Sequence, residues 1–138
     1  MKTETKLIHF SEGIELESGE KLNSFNLMVE TYGELNEGKS NAILLCHAFS
    51  GNHHAAGSSE DFGIGWWDQL VGPNKSIDTN KYFVVCCNNL GGCAGSSGPS
   101  SIDPSSQKIF GKSFPQVSVL DWVNSQKMLM DKLNIECW

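Results

Sequence analysis

Asn41-Ala42-Ile43-Leu44-Leu45-Cys46-His47-Ala48-Phe49-Ser50-Gly51 sets the fold of this chain. Ala42 to Cys46 is a short apolar run without charge, which predicts a strand buried on both faces, as in a parallel sheet. It ends abruptly in His47 to Gly51, a small, polar turn closed by glycine. In open α/β sheets ligands bind in the crevice beyond the carboxyl ends of the strands. A turn in that place can present backbone N–H groups to an oxygen that gains negative charge during a reaction.

Upstream of this stretch, Leu7–Phe10 and Ile14–Leu16 are short strand candidates, with a turn at Ser18-Gly19. Phe25, Leu27 and Val29 alternate with Asn26, Met28 and Glu30, which predicts a half-buried strand in an antiparallel setting. Downstream, Gly65 to Val71 is expected to form a short helix ending at Gly72-Pro73. Of Trp66 and Trp67, one is expected in the core and one at the surface. Tyr82–Cys87 reads as a second buried strand, and it runs into a loop, Asn88 to Ser101, whose length and glycine content mark it as functional. Ser118 and Asp121 approximate a capping box at the start of a helix. The apolar stripe of that helix is expected to be Val119, Trp122, Val123, Met130 and Leu133. Ile135 to Trp138 looks like the opening of a further strand. The element order is an α/β pattern: antiparallel strands leading into a parallel sheet. The last strand lacks a following helix, so residues 1–138 are expected to be one incomplete domain.

The chain has 138 residues, with 39% hydrophobic and 19% charged residues and a net charge of −6. That is globular usage with no basic stripe, which argues against nucleic-acid binding. Ten Lys and no Arg leave no bidentate guanidinium clamp for an anion. The five Cys are odd in number and contain no C-x-x-C. Cys46, Cys86 and Cys87 fall in expected core strands, so they read as reduced small hydrophobes of a cytoplasmic protein. No apolar run is long enough to span a membrane.

Familiar motifs are missing. Gly92 and Gly95 do not make G-x-G-x-x-G, no G-K-[ST] follows them, and G-x-S-x-G is absent. His53 and His54 are neighbours and are expected to be solvated loop residues, with His47 held by its turn and no metal bound. Cys93 paired with His47 is one possible nucleophile and base.

Several blocks in register go further. They are Thr31-Tyr32-Gly33-Glu34-Leu35-Asn36, Cys46-His47-Ala48, Gly65-Trp66-Trp67-Asp68, Asp78-Thr79-Asn80-Lys81-Tyr82-Phe83, Asn89-Leu90-Gly91-Gly92-Cys93 and Gly95-Ser96-Ser97-Gly98-Pro99-Ser100-Ser101. From about Thr31 onward the chain resembles the start of the homoserine O-acyltransferases of the α/β-hydrolase fold, the homoserine O-acetyltransferase type. The resemblance implies transfer of an acetyl or succinyl group from acyl-CoA, as co-substrate, to the hydroxyl of L-homoserine in methionine synthesis. It implies a Ser nucleophile with His and Asp, no bound cofactor, and a homodimer for the full-length enzyme.

The family's nucleophile would fall beyond Trp138, so the 138-residue piece is expected to be inactive. The family's His-Ala-Leu-Thr-Gly matches His47 to Gly51, with Phe49-Ser50 in place of Leu-Thr. The Phe49 backbone N–H is then the oxyanion donor. His47, Ala48, Ser50, Gly51, Trp66, Gly91 and Gly92 would line the substrate pocket. An esterase of the same fold and a non-catalytic binding domain are the alternatives.

Overall fold

A computed structural model describes all residues, Met1–Trp138. Its centre is a four-stranded sheet. Strand β1 (Thr3–Phe10) pairs antiparallel with β2 (Phe25–Tyr32), and β2 pairs antiparallel with β4 (Phe83–Cys87). Strand β4 in turn pairs parallel with β3 (Ala42–Leu45), so the spatial order is β1-β2-β4-β3. The α/β expectation holds. Both parallel strands end at the same edge, where His47–Gly51 and Asn88–Ser101 emerge together.

Strand periodicity divides the core into two faces. Phe25, Leu27 and Val29 of β2, with Val85 and Cys87 of β4, turn toward Leu90, Leu129 and Ile135. On the other face Tyr32, Leu45, Val84 and Cys86 pack against Ala55, Ala56 and Val71 of the β3–β4 crossover. The alternation read in β2 is therefore real, but its second face is covered as well: Tyr32 is fully buried and Glu30 is 4% exposed. Strand β3 is an edge strand. Ala42 and Leu45 are buried, whereas Cys46 is exposed just past its end, which corrects its assignment to the core.

The first face is closed by α1 (Val119–Lys132), and the capping box is complete. Ser118 Oγ accepts from the Asp121 N–H at 3.2 Å, and Asp121 Oδ2 accepts from the Ser118 N–H at 2.8 Å. Asp121 Oδ1 also accepts from the Glu17 N–H at 2.9 Å, so one fully buried carboxylate ties the helix to the β1–β2 connection. This corrects the expected stripe. The buried face of α1 runs through Asp121, Ser125 and Leu129, while Val119 and Val123 are exposed. Asp121→Ala would orphan two backbone donors. It is expected to cost about 2–4 kcal/mol, more than loss of an ordinary cap, as measured by urea unfolding.

Two further expectations fail for local reasons. Residues 66–70 form turns rather than a helix, because Val71–Gly72 is recruited into a parallel pairing with Ile77–Asp78. A five-residue segment gains too few bonds to offset helix nucleation. Ile135–Trp138 is not a strand; it pairs with nothing, and Ile135 simply buries its side chain against the helix face.

Candidate active site

The His47–Gly51 segment is a tight turn closed by the Gly51 N–H donating to Ala48 O at 2.7 Å. His47 adds two bonds. Its Nε2 lies 3.1 Å from the Asn89 backbone N–H and its Nδ1 lies 2.7 Å from Ala48 O. A backbone N–H can only donate, so Nε2 is the acceptor and the proton sits on Nδ1, which donates to Ala48 O. One imidazole therefore joins the turn after β3 to the loop after β4.

The same bonds aim the Phe49 amide. In a trans peptide the Ala48 C=O and the Phe49 N–H point in opposite directions. With the carbonyl held by His47 and Gly51, the Phe49 N–H is turned away from them. It has no hydrogen-bond partner within the chain. A free, fixed backbone donor is what an oxyanion site requires.

Phe49, His47, Ser50, Gly51, Gly91 and Gly92 line one cavity of about 520 Å³. Ala48 contributes its carbonyl to the turn rather than a wall. Trp66 does not reach this cavity. Its indole N–H donates to Asn52 O at 3.0 Å and its ring lies against Trp67; both indoles are partly exposed, so neither is the core residue expected of the pair. The cavity also takes in Asn88, Asn89 and Leu90, at the head of the loop expected to be functional, and Trp122, which was expected in the helix core stripe and not at the site. Trp122 donates from Nε1 to Leu90 O at 2.8 Å, so the helix fixes the loop. The signal available for Asn88 and Asn89 was their place directly after a buried strand.

The loop after β4 is stitched to β2. Ser96 Oγ accepts from the Met28 N–H at 2.9 Å and Ser97 Oγ from the Asn26 N–H at 2.8 Å. Gly91 has φ +86°, a conformation that suits glycine, and a Cβ on Gly92 would lie 2.8 Å from Asn88 Oδ1 and Asn89 O. The two glycines let the loop fold tightly at the cavity wall.

Cys93 shares the cavity with His47, but both imidazole nitrogens of His47 are engaged. His47 is therefore a positioning residue and not a base for that thiol. Burial pushes the Cys86 and Cys87 thiols well above the usual range, which keeps them protonated and inert. No group of three or more His, Cys, Asp or Glu is placed to hold a metal, and no helix is long and apolar enough to cross a membrane.

His53 and His54 are buried, not solvated: each is 4% exposed. His54 Nδ1 lies 2.9 Å from Glu30 Oε2 and its Nε2 lies 3.2 Å from Gly63 O. Burial, then the neighbouring His54 and His47, lowers the pKa of His53 from 6.5 to about 4. The unfolded chain takes up this proton near pH 6.5 and the folded chain only near pH 4. Stability is therefore lost as pH falls through that window, by about 3 kcal/mol in all. Urea midpoints measured between pH 7 and pH 4 are expected to fall accordingly, and His53→Gln should flatten the curve.

Comparison with known proteins shows what the chain is similar to. The chain is 60% identical, over 135 residues, to a homoserine O-succinyltransferase of Hahella chejuensis; the match takes in 96% of this chain and 35% of that protein. The chain is related to the homoserine O-acyltransferases. It spans about a third of the length of these curated relatives. Among solved structures, the homoserine O-acetyltransferase of Bacillus anthracis superposes with a TM-score of 0.84 at 37% identity, over 97% of this chain and 37% of that one. Esterase E22 superposes with a TM-score of 0.86 at 35% identity, over 97% and 38%. The architecture is that of the α/β-hydrolase fold. No family model matches the chain.

Proposed function

We propose that this chain supplies the oxyanion-binding wall of a homoserine O-acyltransferase. The enzyme would move an acyl group from acyl-CoA to the side-chain hydroxyl of L-homoserine, in methionine biosynthesis. The observation that carries this reading is the unpartnered Phe49 N–H, aimed by His47 beside a cavity at the ends of two parallel strands.

The chemistry divides into two acyl transfers. A serine hydroxyl outside these residues attacks the thioester carbonyl while a histidine takes its proton. The carbonyl oxygen gains charge and accepts from the Phe49 N–H, a contact worth about 2.7–4 kcal/mol in comparable sites. The C–S bond breaks and coenzyme A leaves with the proton. The homoserine hydroxyl then attacks the acyl-serine, its proton passes through the same histidine to the serine oxygen, and the O-acyl ester departs. The 138-residue chain contains no G-x-S-x-G and is expected to be inactive alone. The complete enzyme is proposed to be a cytoplasmic homodimer that needs no bound cofactor.

The name of the Hahella relative supports succinyl transfer and that of the Bacillus relative acetyl transfer. No cationic Lys lines the cavity to meet a succinyl carboxylate, so the selecting residue for that donor would lie elsewhere. The likeness to esterase E22 supports a second reading, ester hydrolysis at the same turn. Incubating the complete enzyme with L-homoserine and either acyl-CoA separates them. O-acylhomoserine as product supports the transferase; free acid alone overturns it in favour of the esterase.

A further inference from the structure

On the opposite side of the β4 loop lies a second cavity, of about 500 Å³, comparable in size to the first. The loop divides the two: Gly91, Gly92 and Cys93 face one, Ala94 and Gly95 the other. The second cavity is walled by Glu30 of β2, by His53 and His54, and by Ser59, Asp61 and Phe62 of the short hairpin Ser58–Ile64. We propose that this cavity is a binding site for a primary ammonium group, the cationic end of an amine or amino acid, separate from the acyl site.

Two independent observations carry this. The first is an unsatisfied group. His53 lines the cavity, is 4% exposed, and has a buried Nδ1 with no hydrogen-bond partner. An orphaned buried nitrogen costs about 1–3 kcal/mol, which a bound donor would relieve. Because burial and the neighbouring histidines keep the ring neutral near pH 7, one nitrogen is free to accept.

The second is the balance of charge and hydrogen-bonding type. The lining holds two carboxylates, Glu30 and Asp61, and no Lys. His54, the other titratable ring, is already bonded to Glu30 and Gly63 O. What faces a ligand is chiefly acceptor: the Asp61 and Glu30 carboxylates, with the His53 ring and the Thr5 and Ser59 hydroxyls able to accept or donate. An ammonium offers three donors and no acceptor. Phe62 adds an aromatic ring 5.3 Å from the His53 centroid, which suits a cation in addition. An anion would meet two like charges.

The test reads binding, not catalysis, so its failure leaves the acyltransferase reading untouched. The 138-residue protein is titrated at pH 7.5 with ethanolamine hydrochloride, followed by the imidazole nitrogen resonances of His53 and His54 and the amides of Asp61 and Phe62. Sodium acetate and sodium chloride at equal ionic strength are the controls. A saturable millimolar response to ethanolamine is expected, with shifts at His53 and Asp61 that neither control reproduces. Asp61→Asn, an exposed position that should fold normally, is expected to weaken binding at least tenfold, and His53→Phe to abolish it. A response no larger than that to sodium chloride, saturable binding of acetate instead, or full affinity in Asp61→Asn would overturn the proposal.

Discussion

Tyr32→Phe is expected to destabilise the fold by about 2–5 kcal/mol, although it removes a single oxygen atom. The Tyr32 hydroxyl accepts from two backbone donors at once, the Ala55 N–H at 2.7 Å and the Ala56 N–H at 3.0 Å. All three residues are fully buried, so water cannot replace the lost acceptor. Phenylalanine fills the same ring volume, and the cost is therefore that of two orphaned amides and not of a cavity. A domain of this size has about 5–15 kcal/mol of stability in total, so the loss is a large share. Urea unfolding of Tyr32→Phe measures it, with Tyr82→Phe at a partly exposed ring as the comparison. A change as small as that of the Tyr82 variant would mean the crossover is held by apolar contact alone.

His47→Ala is expected to lower kcat of the complete acyltransferase by about 10²–10³, the loss typical of one oxyanion donor, with KM little changed. The imidazole holds the Ala48 carbonyl and receives the Asn89 amide. Without it the Ala48–Phe49 peptide can rotate, and the Phe49 N–H is no longer fixed toward the carbonyl oxygen in its transition state. His47→Asn separates the two bonds. Its side-chain amide can still donate to Ala48 O but cannot reach Asn89, so kcat should recover in part. Amide exchange at Asn89 should be fast in both variants, which marks the loss of the inter-loop bond independently of activity. Equal kcat in wild type and His47→Ala would remove His47 from any positioning role.

Much of this arrangement is legible in residue order, for identifiable reasons. Ala42–Leu45 and Phe83–Cys87 are uninterrupted apolar runs, and their burial leaves little alternative to strand. Ser118 and Asp121 stand at capping-box spacing, a local rule that tertiary structure did not override. The turn at His47–Gly51 could be placed because it follows directly from the first of those strands.

The misreadings come from features that apolar periodicity does not encode. Apolar periodicity placed Val119 and Val123 inside, but α1 is oriented by the bonds of Asp121, which no hydrophobic pattern encodes. His53 and His54 were expected to be solvated loop residues. The backbone there is irregular, and both rings turn inward beneath Phe62. Trp66 lies near the cavity-lining blocks in sequence, yet Asn52 O draws its indole to another part of the surface. For α1 and Trp66 polar partners decided the outcome, whereas His53 is buried with no partner for its Nδ1.

The two sides of the central sheet are fastened by different means. One is sealed by aliphatic and aromatic side chains beneath a helix, with the single Asp121 carboxylate as its polar tie. The other is bolted by individual polar joints: a phenol on two amides, a carboxylate on an imidazole, an aspartate on the Gly57 N–H. On that second side the buried His53 ring is held neutral down to about pH 4, so acid drives a charge into its packing. Acidification should therefore loosen the crossover first at the His53 corner.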